Sequence, residues 1–213
     1  MSSLGRHRRH ANPFSLRQQS ARLDSQQHFG RSAPLALDIG CGPGAFVLEM
    51  ARERPSWNVL GLEIRPHLVE FGRAALLQAG LAHADVLLAN ANLQLAELLE
   101  RDSLQFVSVN FPDPWFKNRH HKRRVITPPM CRLLAQTMRA DGELHLMTDV
   151  LPLAHAMRST LRAAHFVDAH GPDSWPQKST TGLHSERELW HLGRGDPIWR
   201  MQFFPPAKAS SLA

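Results

Sequence analysis

Residues Leu35 to Ile39 form a compact apolar run that carries one carboxylate, Asp38, and breaks straight into Gly40-Cys41-Gly42-Pro43-Gly44. Helical spacing follows at once, with Phe46, Val47, Met50 and Ala51 recurring along the stretch 45–54. A buried strand that feeds a glycine turn and then a helix is the opening unit of a parallel sheet, because parallel strands need a long crossover between them. The alternation then repeats. Runs 58–64, 85–89, 104–111 and 143–148 read as strands, and 66–79, 93–99, 127–139 and 152–164 as helices, before two last strand-like runs at 166–169 and 198–204. Pro66 suits a first helical turn and Gly80 a helix stop. The pattern predicts an α/β protein with a mostly parallel seven-stranded sheet and helices on both faces.

In such sheets the ligand crevice lies beyond the carboxyl ends of the strands, at the switch point of strand order. Residues just after the first five strands should therefore converge. These are Asp38 to Gly44, Glu63, Asn90 to Asn92, Asn110 to Trp115, and Asp149.

The first 33 residues are polar and rich in Arg, Gln, Ser and His, so 1–33 reads as a basic arm, 34–206 as the folded domain and 207–213 as a flexible tail. Lys+Arg number 25 against 19 Asp+Glu, a net charge of +6 that suits either a nucleic-acid partner or a plain solvated surface. Two cysteines, Cys41 and Cys131, are too few for a disulfide framework or a cysteine-based zinc site, and they suit a reducing cytoplasm. The basic first ten residues lead into no apolar stretch, so no signal peptide is expected, and no run is long enough to predict a membrane span. Neither composition nor pattern separates a monomer from a homodimer.

The glycine loop has G-x-G-x-G spacing, where a dinucleotide site prefers G-x-G-x-x-G. Pro43 removes one N–H donor, and Asp38 would repel a phosphate. Asp38, Gly40, Gly42 and Gly44 therefore favour a cofactor with an amino-acid end over a pyrophosphate, the alternative being a turn of no special use. Glu63, closing the second strand, can accept from both hydroxyls of a ribose, or be a solvated strand-end charge. Asn90 or Asn92 can meet an adenine edge, or serve as ordinary turn residues.

The richest segment runs from Asn110 to Arg124. Pro112 and Pro114 restrict the backbone on either side of Asp113 and so fix where its carboxylate points. Trp115 and Phe116 offer faces for a nucleobase, a stack worth roughly 1–3 kcal/mol per base. Arg119, Lys122, Arg123 and Arg124 follow, a footprint of phosphate contacts beside a base pocket, or else a solvated loop. His120 and His121 are adjacent and cannot converge on one metal, so no metal is expected.

At this segment the chain resembles the bacterial tRNA (guanine-N7)-methyltransferase family. The resemblance rests on Phe111-Pro112-Asp113-Pro114-Trp115 with Lys117 and the basic stretch Arg119 to Arg124. It extends to Asp38 through Gly44, Gly61-Leu62-Glu63, Thr148-Asp149, Ser185 to Glu188 and the early Arg8 to Pro13. It implies a Rossmann-like methyltransferase fold, S-adenosylmethionine as cofactor and tRNA as partner. Asp38, Glu63, Asn90 and Asp113 would then contact the cofactor, and Asp113 would also be the active-site residue. Lys117, Asp149 and Glu186 would match substrate-contacting positions, and Arg119, Lys122, Arg123 and Arg124 an RNA-contacting stretch. Asn90 stands where many members carry Asp, and Leu183 where many carry Thr, with Thr181 close by.

The reaction so implied moves a methyl group to N7 of a guanine in the tRNA variable loop, position 46. Three other readings remain open: a methyltransferase of another RNA, of DNA or of a small molecule; a non-catalytic RNA-binding module; and a nicotinamide-dependent oxidoreductase. The inserted Asp113, the acidic and glycine set, and the glycine spacing weigh against them in turn.

Overall fold

A computed structural model describes residues 22–208; most of the expected arm, 1–21, and residues 209–213 of the expected tail lie outside them. The elements run α1 (Ser25–Phe29), β1 (Leu35–Ile39), α2 (Ala45–Glu53), β2 (Asn58–Glu63), α3 (Pro66–Gln78), β3 (Ala84–Leu88), α4 (Ala91–Leu98), β4 (Leu104–Asn110), α5 (Pro128–Thr137), β5 (Met138–Thr148), α6 (Leu151–Ala163), β6 (Val167–Asp168), α7 (Glu186–Leu192) and β7 (Trp199–Phe204), with a 3-10 helix at Asn118–Arg123.

All seven strands join one sheet in the order β3-β2-β1-β4-β5-β7-β6. β1 to β5 are mutually parallel, and β7 lies antiparallel between β5 and β6. The order reverses between β1 and β4, which places the switch-point crevice beside their carboxyl ends.

The two-residue period of β1 sorts its side chains to two cores. Leu35, Leu37 and Ile39 pack with Leu95 of α4, Met130 and Leu134 of α5, and Leu153 and Met157 of α6. Ala36 turns to the other face, with Phe46, Val47 and Met50 of α2 and Val69 and Leu76 of α3. α1 is capped by Asp24 and buries Phe29 in the first of these cores, so the chain from residue 22 onward is docked on the sheet.

The helix expected over 127–139 ends at Thr137. Met130, Leu134 and Met138 have helical spacing, but Met138 instead pairs with Leu104 as the first residue of β5. The register then jumps to Phe106 opposite Glu143, and the extra residues Arg139 to Asp141 bulge into solvent. α7 follows no long apolar run. Ser185 caps it by accepting the Glu188 N–H at 3.1 Å, and a buried ion pair from Arg200 of β7 to Glu188, at 2.7 Å, fastens it to the sheet.

Candidate active site

The crevice at the switch point is a cleft of about 240 Å³. Strand ends supply its walls: Ile39 and Gly40 after β1, Leu62 to Arg65 after β2, Ala89 to Asn92 after β3, and Asn110 to Asp113 with Trp115 after β4. Arg123, Val125 and Arg187 close the far side.

Gly40, Gly42 and Gly44 all have positive φ (75°, 59° and 79°), which a side chain would strain. Every N–H of this loop is already committed. Gly40 and Cys41 donate to the Leu62 carbonyl oxygen, Gly42 to Glu63 Oε2 at 3.0 Å, and Gly44 to the Cys41 carbonyl oxygen. Pro43 has none to give, so the loop cannot cradle a pyrophosphate. Gly40 lines the cleft. Gly44 instead lets the loop pack on α3, since a Cβ there would lie 3.4 Å from the Cα of Gly72.

Asp38 is buried just below, where its Oδ1 accepts from Ser108 Oγ at 2.7 Å and Asn110 Nδ2 at 3.1 Å. Burial pushes its carboxyl up to about 7, against the lowering effect of those two donors, and the Glu63 charge adds to the rise. Such a group gains from a cationic neighbour. Glu63 is almost fully buried and accepts from Ile64 N, Arg65 N, the Arg65 guanidinium and Gly42 N. Asn90 lines the cleft while its Oδ1 caps α4 through Asn92 N at 3.0 Å, so the turn role is present beside any ligand role.

On the opposite wall, Phe111 (φ 49°) and Trp115 (φ 44°) both adopt left-handed backbone. Each such residue costs roughly 1–3 kcal/mol and persists only where its surroundings enforce it. They flank the Pro112-Asp113-Pro114 turn, and Asp113 lines the cleft on its exposed side. The Arg123 guanidinium lies 5.1 Å over the Trp115 ring, and its Nε is buried without a hydrogen-bond partner. Phe116 is 71% exposed, and Lys117, Arg119 and Lys122 are also exposed. Arg124 turns inward.

Asp149 lies behind this wall. Arg187 Nη2 reaches both of its oxygens at 3.1 Å, and His191 Nε2 lies 3.4 Å from Oδ2. Arg187 also sits 5.1 Å over the Phe111 ring, on which the His191 ring stacks at 5.3 Å. Of Ser185 to Glu188, it is therefore Arg187 that reaches the cleft, while Glu186 is exposed and outside its lining. No spacing signal in the sequence separated the two. Leu183 is buried in the same core as α2 and α3, and Thr181 Oγ1 accepts the Leu183 N–H at 3.0 Å, so both hold the turn before α7.

The cleft thus offers acidic acceptors at one end and a rigid carboxylate beside an aromatic-cation pair at the other. The buried Asp38 and the committed N–H groups fit a ligand with an ammonium and a ribose rather than a diphosphate. Among the described residues no group of three His, Cys, Asp or Glu could hold a metal ion, and no helix is long and apolar enough to cross a membrane.

Comparison with known proteins agrees with this geometry. The model of the family described as "Putative methyltransferase" matches residues 32–201. A tRNA (guanine-N(7)-)-methyltransferase of Thermosynechococcus vestitus is 40% identical over 199 residues, covering 92% of this chain and 93% of its own. Among solved structures, the 16S rRNA methyltransferase KamB superposes with a TM-score of 0.64 at 18% identity, covering 88% of this chain and 96% of that one. A geranyl diphosphate C-methyltransferase of Streptomyces coelicolor, solved with S-adenosyl-L-homocysteine, superposes with a TM-score of 0.55 at 11% identity, covering 84% of this chain and 77% of that one. The Rossmann-like methyltransferase fold expected from the sequence is the fold observed.

Proposed function

The chain belongs to the family of tRNA (guanine-N(7)-)-methyltransferases, and from that premise we propose that it transfers a methyl group from S-adenosylmethionine to N7 of a guanine in the tRNA variable loop, position 46. One observation carries the reading: Asp113, Trp115 and Arg123 line the same cleft as Gly40 and Glu63. A base held by the first three faces whatever the last two hold.

Bound S-adenosylmethionine supplies a methyl group on a sulfonium. Asp38 and Glu63 are the acceptors for its ammonium and ribose, and Gly40 and Asn90 complete that end. Guanine N7 carries a lone pair and no proton, so no strong base is required. The protein's contribution is alignment, for which orientation is worth roughly 7–11 kcal/mol. Asp113 accepts from guanine N1–H and N2 and offsets the positive charge that grows on the purine. Trp115 supplies a stacking face under Arg123. Lys117, Asp149 and Glu186 are the further substrate contacts, with Arg187 setting the direction of Asp149. Arg119 and Lys122 meet RNA phosphate, and the basic arm 1–33, docked on the sheet from residue 22 onward, joins them. The enzyme works in the cytoplasm.

Mapping labelled methyl groups on bulk tRNA tests the assignment. They are expected on a variable-loop guanine N7, and finding them elsewhere overturns the substrate.

A further inference from the structure

In the free protein every acceptor site of Glu63 is already engaged. Its Oε1 accepts from Ile64 N at 2.8 Å, Arg65 N at 3.0 Å and Arg65 Nε at 2.9 Å, and its Oε2 from Gly42 N and Arg65 Nη2, both at 3.0 Å. A carboxylate has about four lone-pair sites, so five donors leave no place for two hydroxyls. Three of the five are backbone N–H groups fixed by β2, by the start of α3 and by the glycine loop. The other two belong to one side chain, Arg65, which is 37% exposed over a Glu63 that is 2% exposed. Arg65 and Glu63 both line the cleft, and so does Asp113. The Arg65 charge is held by Glu63 first, with Asp113 also contributing.

We propose that Arg65 is a positioning residue that stands in for the ribose diol on Glu63, gives way when the cofactor binds, and returns to speed release of the spent cofactor. This rests on the reading of Glu63 as the ribose acceptor. The fork of a guanidinium presents two N–H donors to one carboxylate much as two vicinal hydroxyls would, so the exchange conserves Glu63's hydrogen bonds. The cleft then never leaves that buried carboxylate short of donors, and the hold on the product is weaker than the same site would have without a resident competitor. Once displaced, the guanidinium still has the Asp113 carboxylate of the same cleft as an opposite charge. Product release limits turnover in many enzymes, and a competitor built into the site acts on that step.

The test is titration calorimetry of S-adenosylhomocysteine with the full chain and its Arg65→Ala and Arg65→Met variants. The methionine keeps the aliphatic stem without a donor. Removing the competitor is expected to tighten S-adenosylhomocysteine roughly threefold to tenfold, a range discounted for the exposure of the guanidinium. Product inhibition should deepen by the same factor. The ligand 2′,3′-dideoxyadenosine, lacking the diol, should bind the variants as it binds the parent, whereas adenosine should tighten. Unchanged or weaker binding of S-adenosylhomocysteine by a variant that melts like the parent overturns the proposal. Equal tightening of the dideoxy ligand does so too. If the parent itself fails to bind S-adenosylhomocysteine, the fault lies with the cofactor assignment and not with Arg65.

Discussion

Arg124 donates its Nε–H to the carbonyl oxygen of Pro114 at 2.9 Å, so the last cation of the basic run braces the turn that carries Asp113. Its Nη2 lies 2.9 Å from His121 Nε2, and its own carbonyl oxygen accepts from Asn92 Nδ2 at 3.0 Å. Burial also lowers the tendency of this guanidinium to hold its charge. The run therefore contains two kinds of cation. Arg119 and Lys122 face solvent, while Arg124 is a structural tie between the β4 loop and α4.

That division has a measurable consequence. Replacing both Arg119 and Lys122 with Ala is expected to weaken tRNA binding and to flatten its dependence on log salt by roughly one unit for each phosphate that is no longer neutralised. Arg124→Ala should leave the salt slope alone and lower turnover instead. Filter-binding titrations across salt concentrations, paired with single-turnover rates, separate the two. A salt slope that drops with Arg124→Ala as much as with Lys122→Ala would remove the distinction.

Asp38 makes cofactor binding depend on pH. Its carboxyl titrates at about 7 in the free protein, mainly because burial disfavours the charge. An ammonium ligand needs the ionised form, so below pH 7 binding must first expel a proton. Affinity for S-adenosylhomocysteine is expected to rise with pH, up to tenfold per unit, and to level off above about 7. The fold without ligand runs the other way. A folded value raised from 3.8 to about 7 gives stability that is complete below the unfolded value and lost as pH rises through the folded one. Asp38→Asn should abolish the pH dependence of binding and melt above the parent at pH 8. A parent whose affinity is flat between pH 5.5 and 7.5 would contradict this.

Much of the fold was legible because it is carried by local pattern. The strand-glycine-helix opening, the switch in hydrophobic period and the proline-started helices lie within single segments, and they located every strand to within a residue at each end except the start of β5. The site's frame was legible too, because strand ends in a parallel sheet converge by topology. What stayed hidden depends on partners far along the chain. Met138 fits a helix by spacing and joins β5 only because Leu104 is there to pair with it. Arg187 looks no different from its neighbours until Asp149 and Phe111 are placed beside it. Left-handed backbone at Phe111 and Trp115 cannot be read from residue type, since bulky side chains disfavour it.

Glu188 and Arg200 make a stability prediction that is independent of chemistry. Both are nearly fully buried, and Arg200 Nε and Nη2 lie 2.8 Å and 2.7 Å from Glu188 Oε1. Glu188→Ala strands a buried guanidinium and is expected to cost roughly 3–5 kcal/mol. Replacing both with Met should recover most of that loss, because the desolvation penalty leaves with the pair. Thermal melts of the three proteins decide it; a double variant as unstable as the single would point to packing and not charge.

Asp113→Asn tests the alignment role at the reacting base. An amide keeps one acceptor oxygen but turns an NH₂ toward guanine donors, so one hydrogen bond becomes a clash of donors. Turnover is expected to fall by about 10²-fold or more, with tRNA affinity held by the distant cations. Wild-type turnover alongside normal tRNA binding would sink the assignment.

Arg187 is expected to act on the substrate side alone. It fixes both oxygens of Asp149 and covers one side of Phe111, the residue whose left-handed backbone starts the Pro-Asp-Pro turn. Removing it leaves Asp149 with only the longer His191 contact to fix its direction and uncovers part of the Phe111 ring, while Asp38 and Glu63 keep all their partners. Arg187→Ala should therefore raise KM for tRNA roughly tenfold and lower kcat, with the affinity for S-adenosylhomocysteine unchanged. Arg187→Lys should rescue little, because an ammonium is a point charge and cannot reproduce the planar fork over an aromatic ring. Calorimetry with S-adenosylhomocysteine is the deciding measurement: if its affinity falls in step with that for tRNA, Arg187 supports the whole cleft and not one wall of it.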